Sequence, residues 1–104
     1  MEQALITHLP LKGGFYGSRR ERRAVQKLEK RLERAVVAVG GEHDGDEFGG
    51  GEAVLYTYGP DADALLAALR KSLGRYQLRS GAYAIKRYGE ASDPDAREER
   101  VPVP

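Results

Sequence analysis

Between Gln3 and Leu11 the strand formers Leu5, Ile6, Thr7 and Leu9 crowd into one short run that Pro10 closes, which predicts a first β-strand. After the glycine-rich loop at 13–17, the apolar spacing changes. Val25, Leu28, Leu32, Ala35, Val36 and Val39 recur every three or four residues, so one stripe of a long helix faces a core. Ser18 and Glu21 have the spacing of a capping box at its start, and Gly40-Gly41 end it. Glu42 to Phe48 is polar throughout and reads as an edge strand. Gly49-Gly50-Gly51 turns the chain into Ala53 to Tyr58, the most apolar strand and the candidate for a central position.

Pro60 suits the first turn of a second helix, and Asp61 and Asp63 complement its positive end. Leu65, Leu66, Leu69 and Leu73 form the buried stripe, and Gly74 stops it. Gly81 to Tyr88 is the fourth strand. The order β-α-β-β-α-β predicts an α+β domain of the ferredoxin-like kind, a four-stranded antiparallel sheet with two helices on one face. It occupies residues 1–89. Residues 90–104 form a polar tail in which Arg100-Val101-Pro102-Val103 could add a short edge strand, limited by its prolines.

At 104 residues the chain makes one domain with one small core. It has no cysteine, which removes disulfides and thiolate chemistry. No long apolar stretch or leader-like N-terminus is visible, so a cytoplasmic protein without a membrane partner is the expectation. The net charge is only +1, but it is unevenly spread: residues 18–34 carry +5, 35–69 carry −7, 70–88 carry +6 and 89–104 carry −3. Alternating blocks suit intramolecular pairing or a self-complementary contact between two copies, as well as plain solvated faces.

Three constellations could carry chemistry. The acidic surface Glu42, His43, Asp44, Asp46 and Glu47 invites a hard cation. Strand alternation would put Glu42, Asp44 and Asp46 on one side and His43 and Glu47 on the other. The calcium-loop and zinc spacings are missing, so no metal or other cofactor is assigned, and an edge strand kept soluble by charge explains the same residues. The loop Gly14, Gly17, Ser18, Arg19 and Arg20, extended by Arg23 and Lys27, sets amides and cations at a helix N-terminus, an anion-binding arrangement. Arginines at that end require a counter-charge, from a ligand phosphate or from the acidic strand or tail. Tyr56, Tyr58, Tyr83 and Ile85 could lie together on an open sheet face as an interface.

Nucleic acid is possible through the basic helix but not favoured. RNA-recognition domains share the element order, yet their stacking aromatics would stand where Leu5, Ile6, Glu52 and Val54 are found. No catalytic residue is assigned, because no glycine-flanked serine or desolvated carboxylate pair is legible. A deep pocket enclosing His43 with Asp44 or Glu47 would favour an enzyme.

The segments Asp44-Gly45-Asp46-Glu47-Phe48-Gly49, Leu55-Tyr56-Thr57-Tyr58-Gly59-Pro60-Asp61-Ala62-Asp63-Ala64-Leu65 and Arg87-Tyr88-Gly89 resemble a group of small bacterial ferredoxin-like proteins for which no activity is established. More remotely, a helix ending before Asp44-Gly45 is similar to the regulator of ribonuclease E activity B family, whose members bind and inhibit an RNA-degrading enzyme. A complete fold signal beside an incomplete signal for every catalytic site points to a non-enzymatic binding or regulatory module. The expected partner is a second copy of the chain or another protein.

Overall fold

A computed structural model describes residues 2–104. Five strands and two helices alternate as β1 (Gln3–Pro10), α1 (Arg19–Val37), β2 (Glu42–Gly49), β3 (Glu52–Gly59), α2 (Ala62–Ser72), β4 (Tyr83–Arg87) and β5 (Glu98–Pro102). The protein is an α+β fold whose strands form one antiparallel sheet in the order β2-β3-β1-β4-β5. The arrangement of the first four strands is compatible with the ferredoxin-like order. The sheet has five strands, however, not the four expected.

The fifth strand comes from the tail. Arg87 holds it: the guanidinium donates to Glu98 Oε2 at 2.9 Å, to the Glu90 carbonyl at 3.0 Å and to the Asp93 carbonyl. Lys86 bridges Asp63 on α2 and Glu99 on β5 at 2.9 and 3.4 Å. Pro102 is tolerated because β5 is the outermost strand, and one side of an edge strand needs no donors.

Alternation sorts the sheet into two faces. Leu5, Leu9, Ala53, Leu55 and Ala84 point to the helix side and pack with Val25, Leu28, Leu32 and Val36 of α1 and Leu65 and Leu69 of α2. Thr57 is buried among them, and its hydroxyl donates to the Leu5 carbonyl at 3.0 Å. The stripe expected on α1 stops short of Val39, which lies beyond the last helical turn and is exposed. Pro60 precedes the α2 cap and is not in its first turn. Asp61 is the N-cap, its carboxylate accepting the Asp63 and Ala64 amides at 2.9 and 3.3 Å.

Both helices cover one face of the sheet. The other face bears no helix, and Ile6, Val54, Tyr56, Tyr58, Tyr83 and Ile85 project from it half-buried.

Candidate functional site

The sheet edge at β2 departs from simple alternation. Glu42 pairs with Tyr58 and His43 with Thr57, but the next partner, of Tyr56, is Gly45. Asp44 is therefore the extra residue of a β-bulge. Gly45, with φ of 147°, lets the backbone turn there. The bulge changes which side chains share a face. His43 and Asp46 fall on the helix side, opposite the buried Thr57 and Leu55, whereas Glu42 and Glu47 fall on the open side. The face of three carboxylates expected from strict alternation is not formed. Among the described residues no group of His, Asp and Glu side chains is arranged to hold a metal ion.

What forms instead is a buried polar cluster between α1 and β2. His43 Nε2 donates to Glu29 Oε1 at 2.6 Å, and the two side chains are 7% and 11% exposed. Asp46 hydrogen-bonds to the same carboxylate. Burial pushes the Glu29 carboxyl up, but hydrogen bonds from His43 and Asp46 outweigh it and carry it below the ordinary range. Asp46 moves the opposite way, to about 6, through its hydrogen bond to the Glu29 carboxylate and then through desolvation. One proton between two carboxylates explains the opposed shifts.

This pair has a pH consequence. A carboxyl whose pKa rises from 3.8 to about 6 on folding binds its proton more tightly in the folded state. Its stabilisation is complete below pH 3.8 and is lost as pH rises through about 6. Because Asp46 is exposed, water screens most of the interaction, leaving about 0.5 kcal/mol, or about 2–4 °C in Tm. Asp46→Asn keeps a donor for Glu29 and has no proton to lose. Its melting temperature should exceed that of the native chain at pH 7.5 and match it at pH 4, as thermal melts across this range would show.

Outside the cluster, α1 and β2 border a groove of about 570 Å³. Glu29, His43 and Asp44 line it, and Arg23, Lys27 and Lys30 stand on the helical side. The groove brings His43 and Asp44 together, a pairing that would favour an enzyme, in an open surface depression. His43 Nε2 is committed to Glu29, and the unpartnered His43 Nδ1 is buried, so the imidazole presents no accessible nitrogen to a molecule in the groove.

The glycine-rich loop before α1 supplies its own anion. The Glu21 carboxylate accepts the amides of Lys12, Gly13 and Ser18 at 2.7, 2.7 and 3.0 Å, while the Ser18 hydroxyl accepts the Glu21 amide at 3.1 Å. Those bonds from backbone Ser18 and Lys12 lower the Glu21 carboxyl to about 2. Glu21 thus fills the loop amides from within the chain, and its ion pair, at 4.0 Å, is with Arg79 and not with Arg19 or Arg20. The Gly17 amide closes a turn on Gly14 at 3.1 Å. Arg19, Arg20, Arg23 and Lys27 are exposed, and among the described residues none forms an ion pair.

The open face gathers the remaining sequence candidates. The registers line up three rows across β3, β1, β4 and β5: Tyr58–Ala4–Arg87–Glu98, Tyr56–Ile6–Ile85–Arg100 and Val54–His8–Tyr83–Pro102. Tyr56, Tyr58, Tyr83 and Ile85 therefore share one surface, joined by Ile6 and Val54, which sequence reasoning did not single out. Strand alternation was the signal that could have found both. Tyr56 donates to Glu47 Oε1 at 2.6 Å, and that bond, with burial, pushes its phenol up to about 12. Burial raises the Tyr58 phenol, helped by Asp44 and Glu2. Both tyrosines thus sit in an acidic field. At the opposite edge the Arg100 guanidinium lies 3.6 Å over the Tyr83 ring, and Tyr83 stacks on His8 at 4.5 Å.

No family model, curated protein or solved structure matches the chain. No helix among the described residues is long and apolar enough to cross a membrane.

Proposed function

We propose that the protein is a non-enzymatic binding or regulatory module that acts through protein–protein contact, and that the helix-free face of its sheet is the contact surface. The carrying observation is the band of Ile6, Val54, Tyr56, Tyr58, Tyr83 and Ile85, which crosses the three central strands and is covered by neither helix. A sheet needs only one apolar face to make a two-layer core. A second face carrying three tyrosines, two isoleucines and a valine is what an interface requires, since large amphipathic rings dominate contact energies. We take the fold to be a ferredoxin-like unit extended by a fifth strand, and self-association to be the first use of the face.

Sedimentation velocity tests this reading. The native chain at some tens of micromolar should sediment as a dimer. Ile6→Lys, at the centre of the band, should sediment as a monomer with an unchanged circular dichroism spectrum and at least about a hundredfold weaker association. Indifference to Ile6→Lys would remove the face from the interface. A native monomer at that concentration would remove self-association.

A second reading has one observation in its favour. Arg23, Lys27 and Lys30 border the α1–β2 groove without ion pairs, which suits a phosphate or an RNA backbone. It requires salt-sensitive binding that weakens when Arg23 and Lys27, which border the groove, become Ala.

A further inference from the structure

We propose that the occupant of the open face is a second copy of this chain, placed by a two-fold axis that runs along β1 over Ile6, so that each acidic β2–β3 edge meets the Arg100 of the other copy. The inference rests on the contact-surface reading above and specifies its geometry.

The argument starts from symmetry. A two-fold contact is isologous, so residue i meets j and j meets i. Two face-to-face sheets can share an axis parallel to their strands or one across them. A parallel axis over β1 exchanges β3 with β4 and β2 with β5, because the strand order is β2-β3-β1-β4-β5. Along the middle row, Tyr56 then covers Ile85 of the other copy, Ile6 covers Ile6, and Arg100 lands opposite Gly45, between Glu42 and Glu47. In the next row Val54 covers Tyr83. Apolar groups meet apolar groups at the centre. At the rims Arg100 meets the acidic edge, while in the Tyr58 row Glu98, neutralised by Arg87 of its own chain, falls opposite Glu42.

An axis across the strands fails the same comparison. Over the Ile6 row it returns each strand onto itself, setting Glu42 against Glu47 of the other copy and Arg100 against Arg100. Like charges juxtaposed in an interface are strongly unfavourable.

Two further features fit the parallel axis. Arg100 is exposed, stacked on Tyr83 and without an ion pair among the described residues, so its charge is free for a partner. The face also has a hollow of about 240 Å³ over the small Ala4, between Tyr58 and Arg87. The parallel axis brings the Tyr58 ring of the other copy there, a projection and a hollow on one self-complementary surface. Three strands of eight residues and two of five present a face of roughly 550 Å², just below what each partner of a standard-size interface buries.

Two experiments on the full chain test the axis. The protein has no cysteine, so Ile6→Cys introduces a single thiol at the proposed axis. Facing sheets lie about 10 Å apart, beyond disulfide reach, and a short bis-maleimide of that span should link two Ile6→Cys chains in high yield. Gln26→Cys, exposed on α1, should stay unlinked. In the second experiment Arg100→Glu and Glu47→Lys should each weaken the dimer about tenfold, by opposing like charges. The double variant, or a mixture of the two single variants, should restore it, since both arrangements re-create opposite charges at both rims.

Each outcome decides. A dimer that Ile6→Lys abolishes, but that neither cross-links through the thiol of the Ile6→Cys variant nor responds to Arg100→Glu, overturns the axis and leaves the contact face standing. A dimer indifferent to Ile6→Lys overturns both. A native monomer overturns the second-copy proposal and leaves the face to a different partner.

Discussion

Alanine at Gly41 should lower the stability of the fold by about 2–3 kcal/mol, or roughly 8–20 °C in Tm. Gly41 sits where the chain leaves α1 for β2, directly against the place where β3 hands over to α2. A Cβ there would stand 2.6 Å from the Tyr58 carbonyl oxygen and 3.0 Å from Leu65 Cδ2. Gly59 faces it from the other segment, and a Cβ on Gly59 would lie 3.1 Å from the Gly41 Cα. Neither glycine is needed for a left-handed backbone. Both are needed for room, because a carbonyl group held in a sheet cannot swing aside as a flexible side chain can. Gly40→Ala is the control: its Cβ would meet only ordinary contacts with Pro60, and its φ of 76° costs about 1 kcal/mol. Urea unfolding of the two variants separates crowding from strain. Equal losses would contradict the packing account.

Removing the Glu29 side chain should have the second large effect. Glu29→Ala leaves His43 with neither nitrogen partnered, since Nδ1 already lacks an acceptor or donor. A buried polar group stripped of its partner costs about 1–3 kcal/mol. The same change frees Asp46 from its hydrogen-bonded neighbour, so the pH dependence near 6 should disappear together with the stability. Replacing both partners by apolar residues, Glu29→Leu with His43→Leu, should recover most of the loss, because a well-packed apolar pair commonly equals or exceeds a buried polar one. A double-mutant cycle read by urea unfolding measures the coupling. A coupling near zero would show that the cluster contributes nothing to holding β2 on α1.

Particular residues show what the chain disclosed in advance. Ser18 and Glu21 announce the start of α1 because a capping box is a local bargain between side chains and amides three residues apart. Leu5, Leu9, Leu55, Leu28 and Leu32 announce the core because burial imposes the period of each element on them. The bulge at Asp44-Gly45 was not legible. An acidic run has no apolar alternation to betray a missed beat, and so the face assignment of Asp46 and Glu47 came out reversed. Glu29 was not singled out, although it stands one position after Leu28 and three before Leu32, on the shoulder of the buried stripe. Its partner His43 is fourteen residues away and becomes visible only once β2 is seated on α1.

The fifth strand was half legible. Val101 and Val103 suggested it and the prolines argued against it. The anchoring by Arg87 depends on backbone carbonyls at Glu90 and Asp93, which no residue type advertises. For the open face, the tyrosines were readable as strand residues, but the row that joins Tyr56, Ile6, Ile85 and Arg100 exists only in the register of four strands.

Hydroxyl-radical footprinting of the native chain across protein concentration asks most directly whether the uncovered side of the sheet is where this molecule meets its partner. Tyr16, exposed on the loop before α1, serves as the internal reference. Between about one and one hundred micromolar, labelling of Tyr56, Tyr58 and Tyr83 should fall severalfold while Tyr16 stays constant. Unchanged labelling of the three sheet tyrosines, or protection of Tyr16 in their place, would contradict the account.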